Sequence, residues 1–158
     1  MSETVFAYRY GFIGAGAMAE AIVSGMVQSG LCRGTDIVMS NRSAEKLERM
    51  HAQYGVAVAS DNSLVMQQAE YIVLAVKPQQ FPTMCEALQC KPGSRQTVVS
   101  IMAGISIAAI EEKLGDCTVF RVMPNTPAKI GWGMTGVSCT ERATDEQRQT
   151  VQRMFDSV

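Results

Sequence analysis

The sequence has no apolar run approaching the roughly 18 residues that a membrane-spanning helix needs. It has no excess of either charge: 14 lysines and arginines against 15 acids leave a net charge of -1. That balance gives no electrostatic reason to expect nucleic acid or a membrane surface as partner. Histidine is nearly missing, and the one residue, His51, lies in a polar helical stretch with no partner in sequence. It reads as a solvated surface residue rather than a catalytic one. The five cysteines, Cys32, Cys85, Cys90, Cys117 and Cys139, are odd in number and form no C-x-x-C pair. Zinc needs clustered ligands, so no metal site is expected. Reduced thiols in a cytoplasmic protein are the expectation instead. The first residues carry Glu3 but neither a basic leader nor a small-residue cleavage site, so no signal peptide is expected. There is no internal repeat and no low-complexity tract.

What remains is the composition of an ordinary globular domain, 158 residues with 47% hydrophobic and 18% charged. Short apolar runs alternate with helical patterns, as in a mostly parallel sheet with crossover helices. Strands are predicted over Tyr8–Ile13, Asp36–Met39, Val56–Val58, 71–76, 97–101, 118–123 and 134–139. Helices are predicted over Ala17–Ser29, ended by Gly30, then from Ser43, over Asp61–Ala69, between Pro78 and the fifth strand, and from Ser106 to Gly115. Thr144 with Gln147 predicts a capping box, followed by an apolar stripe of Val151, Met154, Phe155 and Val158. With no closing cap after that stripe, the expectation is a domain over 1–142 and, over 143–158, the start of a helix leading to a further domain that these residues lack.

The sequence between the first strand and its helix is Gly14-Ala15-Gly16-Ala17-Met18-Ala19, which matches G-x-G-x-x-A. The first glycine permits the tight turn, the second lets a pyrophosphate approach the backbone, and the alanine permits close helix packing. The helix start would hold the phosphate through free amides and its dipole. This context makes the fold a Rossmann-type α/β domain, a mostly parallel sheet with helices on both faces. At the end of the second strand, where a carboxylate would hold the ribose of NAD, stand Ser40, Asn41 and Arg42. Asp36 is acidic but sits at the opposite end of that strand. Neutral hydrogen-bonding groups beside a guanidinium suit a 2′-phosphate, so NADP is expected over NAD. Read without a ligand, Arg42 is a solvated residue at a helix start.

Three further positions are ambiguous by pattern. Lys77, in Ala75-Val76-Lys77-Pro78, reads equally as a cofactor contact or a solvated strand-end lysine. Asn62 reads first as a helix-start cap. Asn125 and Thr126 are held between Pro124 and Pro127, which suits a binding loop and a rigid surface loop alike.

Taken together, GFIGAGAMAEAI, SNR, Asn62 in SDNS, LAVKP, VVSIMAGIS and RVMPNTPAKIGWG resemble, in order and spacing, the N-terminal part of the pyrroline-5-carboxylate reductases. The resemblance covers nearly the whole chain. It implies hydride transfer from NADPH, or in some members NADH, to 1-pyrroline-5-carboxylate, giving proline. It implies cofactor contacts from Ile13, Gly14, Ala15, Gly16, Ala17 and Met18. Ser40, Asn41 and Arg42 would lie at the adenosine ribose and its phosphate. Asn62, Ala75, Val76, Lys77, Pro78, Ala103 and Gly104 would line the rest of the groove, and Asn125 would approach the substrate. It also implies a C-terminal helical domain that makes a homo-oligomer and completes the substrate pocket, and no such segment occurs here. Binding of NADPH with negligible turnover is therefore expected. The alternatives are a non-catalytic NADP-binding module and another NADP-dependent oxidoreductase on the same fold.

Overall fold

In the computed structural model, residues 5–124 and 134–156 are described. Seven strands form one sheet, β1 Tyr8–Ile13, β2 Ile37–Ser40, β3 Ala57–Val58, β4 Ala69–Leu74, β5 Thr97–Ser100, β6 Thr118–Pro124 and β7 Met134–Cys139. Their spatial order is β3-β2-β1-β4-β5-β6-β7. The first six run parallel, and β7 pairs antiparallel with β6. The helices are α1 Ala17–Gln28, α2 Ala44–Tyr54, α3 Asn62–Gln68, α4 Phe81–Ala87, α5 Ile107–Leu114 and α6 Asp145–Asp156. The expected Rossmann-type architecture is borne out.

Two apolar layers cover the sheet. On one face, Ala19, Ile22, Val23 and Met26 of α1 pack with Leu47 and Met50 of α2 against Phe12, Met39, Val73, Val99 and Phe120. Val151, Met154 and Phe155 of α6 join that same layer. On the other face, Val65 and Met66 of α3, Met84 of α4, and Ile110 and Leu114 of α5 cover Ile13, Val38, Ile72, Leu74, Val98 and Val119. With both faces buried, the central strands read as nearly continuous apolar runs, which is why YIVL shows no alternation.

Register brings strand ends into line. Ser40, Ile13, Leu74, Ser100 and Arg121 are successive partners across five strands. Four of these end their strands, so the chain leaves the sheet together along this row. The order turns outward on either side of β1 and β4, where connections leave in opposite directions and open a crevice.

Most local differences from expectation have a physical cause. The fourth strand spans Ala69–Leu74 rather than 71–76, and α3 stops at Gln68. Within an apolar run, periodicity carries no boundary information. At Gly11 a Cβ would lie 2.6 Å from both Ala69 Cβ and Val65 Cγ1, so α3 and the start of β4 press directly on β1. Asp36 lies not in β2 but in a 3-10 turn, where its carboxylate accepts the Arg33 amide at 2.9 Å. The first helix ends at Gln28, with Gly30 at φ +81° and the Leu31 amide donating to Met26 O at 3.1 Å. The Thr144–Gln147 capping box is present in both directions, at 2.8 and 3.1 Å. Val158 lies outside the described residues.

Candidate functional site

A cleft of about 600 Å³ opens outside the carboxyl ends of β1, β2 and β4. Its floor is the glycine turn. Gly14 has φ +106°, and a Cβ there would stand 2.6 Å from Ala75 O, so the turn and the end of β4 touch backbone to backbone. Its amide donates to Ser40 O at 2.8 Å, tying the turn to β2 as well. Gly16 is different. Its φ is -75°, and an added Cβ would meet nothing within 4 Å. No neighbouring atom excludes a side chain at that position, which is the N-cap of α1, and its bare backbone leaves the helix start open to the cleft.

The wall on the β2 side is built by Asn41, Arg42, Ser43 and Lys46. Asn41 Oδ1 accepts the Ala15 amide at 3.2 Å, joining this wall to the glycine turn. Ser43 holds the N-cap position of α2 but makes no capping hydrogen bond, whereas Asp61 and Ser106 cap α3 and α5 at 3.1 Å each. Helix α2 is fastened to α1 by Arg49 and Tyr54, which donate to Glu20 at 3.0 and 3.4 Å. Because Asp61 supplies the cap, Asn62 is left free to line the cleft, which reverses the capping role favoured by its sequence context.

The opposite wall follows β4. Ala75, Val76 and Lys77 lie past the end of the strand, and Gln79, Gln80, Thr83, Met84 and Ala87 continue the surface along α4. Met84, Val76 and the two alanines give this side an apolar character suited to a planar base. Arg42, Lys46 and Lys77 are the cations of the cleft, and no aspartate or glutamate lines it. Among the described residues, none of the three is in an ion pair. Three unneutralised cations round one concavity make a field that favours a polyanion.

The structure thus brings Gly14, Ala15, Gly16, Asn41, Arg42, Asn62, Ala75, Val76 and Lys77 into one cleft. It does not bring the other expected contacts to that lining. Ile13 is fully buried in the sheet, and Ser40 is 1% exposed beneath the cleft. Ala17 and Met18 continue into α1, Pro78 opens a 3-10 turn, and Ala103 and Gly104 are exposed in the segment between β5 and α5. Asn125 lies outside the described residues.

Sequence reasoning missed Lys46 and the α4 surface. Lys46 stands in the first turn of α2, four residues after Arg42, which precedes the N-cap, so only the fold shows that the two share the cleft wall. Gln80, Thr83 and Ala87 recur at helical spacing beside the buried Met84, a polar and small edge next to the core-facing residues of α4.

Three of the five cysteines are poorly placed for nucleophilic chemistry. Burial pushes the thiols of Cys32, Cys85 and Cys117 up to about 11, so they stay protonated and weakly nucleophilic at neutral pH. Among the described residues no group of three or more His, Cys, Asp or Glu side chains could hold a metal, and no helix is long and apolar enough to cross a membrane.

The model of the family described as NADP oxidoreductase coenzyme F420-dependent matches residues 9–104, from β1 through the segment after β5. The chain belongs to this family. It is similar to the pyrroline-5-carboxylate reductase of Staphylococcus saprophyticus, 34% identical over 148 residues, covering 92% of this chain and 55% of that protein. The pyrroline-5-carboxylate reductase of Methanosarcina acetivorans is 31% identical over 151 residues, covering 95% of this chain and 56% of the relative. Among solved structures, a pyrroline-5-carboxylate reductase from Coxiella burnetii superposes with a TM-score of 0.85 at 31% identity, over 96% of this chain and 57% of that one. The chain therefore spans about half the length of the relatives it matches.

Proposed function

We propose that the cleft binds NADPH and that the chain is the cofactor-binding portion of a pyrroline-5-carboxylate reductase. The observation that carries this reading is the set of three unpaired cations around a glycine turn, with no carboxylate in the lining. Gly14, Ala15 and Gly16 would hold the pyrophosphate, and no protein atom within 4 Å of an added Cβ at Gly16 obstructs that approach. Arg42, with Ser43 and Lys46 beside it, would take the 2′-phosphate, where a guanidinium can make two parallel charge-assisted bonds. The spare Ser43 hydroxyl and the uncapped start of α2 add donors in the same place. Lys77 is the remaining cation of the cleft, at the end of β4. When bound, the cofactor supplies a hydride. This chain's residues bind it and orient it.

The resemblance and the relatives support reduction of 1-pyrroline-5-carboxylate to proline in the complete protein. Asn125 would approach the substrate from beyond β6. Hydride transfer needs donor and acceptor held at near-attack distance, which a nucleotide-binding portion supplies for one reactant only. A further helical segment would complete the substrate pocket and join subunits into a homo-oligomer. A cytoplasmic location suits the five free thiols.

Parallel titrations with NADPH and NADH test the cofactor reading. The unaltered chain binds NADPH more tightly, and Arg42→Ala or Lys46→Ala each lowers that preference about tenfold, the effect of losing one charge-assisted bond. Equal affinity for the two nucleotides, or a preference untouched by both substitutions, overturns the assignment. A substrate panel on the complete protein separates imine reduction from other chemistry on the same fold.

A further inference from the structure

Ser40 ends β2 directly beneath the cleft, 1% exposed, and does not line it. Its hydroxyl lies 2.7 Å from Asn62 Oδ1, the one hydrogen bond that side chain makes among the described residues. A buried hydroxyl has one proton and must place it on an acceptor. The Ser40 proton therefore goes to Asn62 Oδ1, and this fixes the sense of the amide. With its oxygen held from below, Asn62 has both N–H groups of Nδ2 left for the cleft it lines. The reversed amide would strand the Ser40 proton and turn a carbonyl oxygen toward the ligand. Asn62 is free for this task because the preceding residue, Asp61, caps α3.

We propose that Ser40 is a positioning residue, which acts through Asn62 to present amide donors to the oxygen atoms of the bound nucleotide. Ser40 serves the site twice, since its carbonyl also accepts the Gly14 amide at 2.8 Å. Removing the hydroxyl leaves that backbone bond in place, so the side chain's effect can be measured by itself. The proposal rests on the cofactor reading above and assigns to Ser40 an indirect role in place of direct contact.

The test is a double-mutant cycle on the 158-residue chain, with NADPH affinity and unliganded melting temperature measured for each variant. Ser40→Ala and Asn62→Ala each weaken NADPH binding about tenfold, the usual size of one lost hydrogen bond to a charged or oxygen-rich ligand. The double variant is within about twofold of Asn62→Ala alone, because the hydroxyl has nothing left to orient. Ser40→Cys falls between serine and alanine, since a thiol is a weaker donor of similar shape. A merely structural serine would lower affinity by the same factor in both backgrounds, in step with the melting temperature. That outcome, or no weakening by Ser40→Ala, overturns the proposal. An unaltered chain that binds neither NADPH nor NADH overturns the cofactor reading, and the relay falls with it. One that binds NADPH while the cycle is additive overturns the relay alone.

Discussion

At the scale of residues, the two glycines of the turn look alike in sequence and do different work. Gly14 is required by the protein: its φ of +106° and the 2.6 Å approach to Ala75 O leave no room for a side chain. Gly16 is not required by any neighbouring atom, and on the proposed reading its bare backbone would serve the phosphate that enters the cleft. Gly14→Ala is therefore expected to destabilise the fold by about 1–3 kcal/mol, the usual cost of a strained backbone. Gly16→Ala, at a permitted φ and in open space, costs no more than about 1 kcal/mol as an N-cap change, yet abolishes measurable NADPH binding. Chemical denaturation and titration on the same two variants check both halves. A Gly16→Ala chain that binds normally would remove the steric argument for a phosphate at this turn. The pattern G-x-G-x-x-A made the turn legible in advance, as did the missing acid after Met39. Lys46 and Asn62 were harder to read. A lysine on a helix face and an asparagine beside a helix start each have a common use in solvent or capping, and only tertiary neighbours decide between uses.

Among the elements, α6 carries the clearest energetic consequence. Val151, Met154 and Phe155 lie in the same apolar layer as α1, so the last described helix is part of the core that supports the glycine turn. Phe155 is 1% exposed. Phe155→Ala is expected to cost about 3–5 kcal/mol in chemical denaturation, the range for deleting a buried aromatic side chain. A cost below about 1 kcal/mol, as for surface substitutions, would show the helix to be dispensable. Helix identity and capping at Thr144 were legible because spacing and side-chain chemistry are local. The partner of the apolar stripe was not, since periodicity says that a face is buried but not against what. The same limit explains β4, where six apolar residues in a row concealed both ends of the strand. Its true end at Leu74 matters, because it moves Ala75 and Val76 out of the sheet and into the wall of the cleft.

For the whole molecule, the proportion is the governing fact: this chain matches 92–95% of its own length to relatives of which it spans only 55–56%. Cofactor binding and turnover should therefore come apart. Saturating NADPH is expected to raise the melting temperature, since ligand at 100 times Kd adds about 2.7 kcal/mol to the folded state. Imine-dependent NADPH oxidation by the 158 residues alone should stay at background in a spectrophotometric assay. Robust turnover would show that the described fold already contains a complete substrate site. The cleft's charge pattern has a last consequence, for the solution around it. On the proposed reading, Arg42, Lys46 and Lys77 would attract the nucleotide with no acid in the lining to offset them, and dissolved ions would compete for the same field. NADPH carries more negative charge than NADH and so gains more from that attraction. Discrimination between the two would then not be a fixed constant of the protein. It is expected to be widest in dilute buffer and to narrow as ionic strength rises in paired titrations, which would make cofactor choice a property shared between the cleft and its medium.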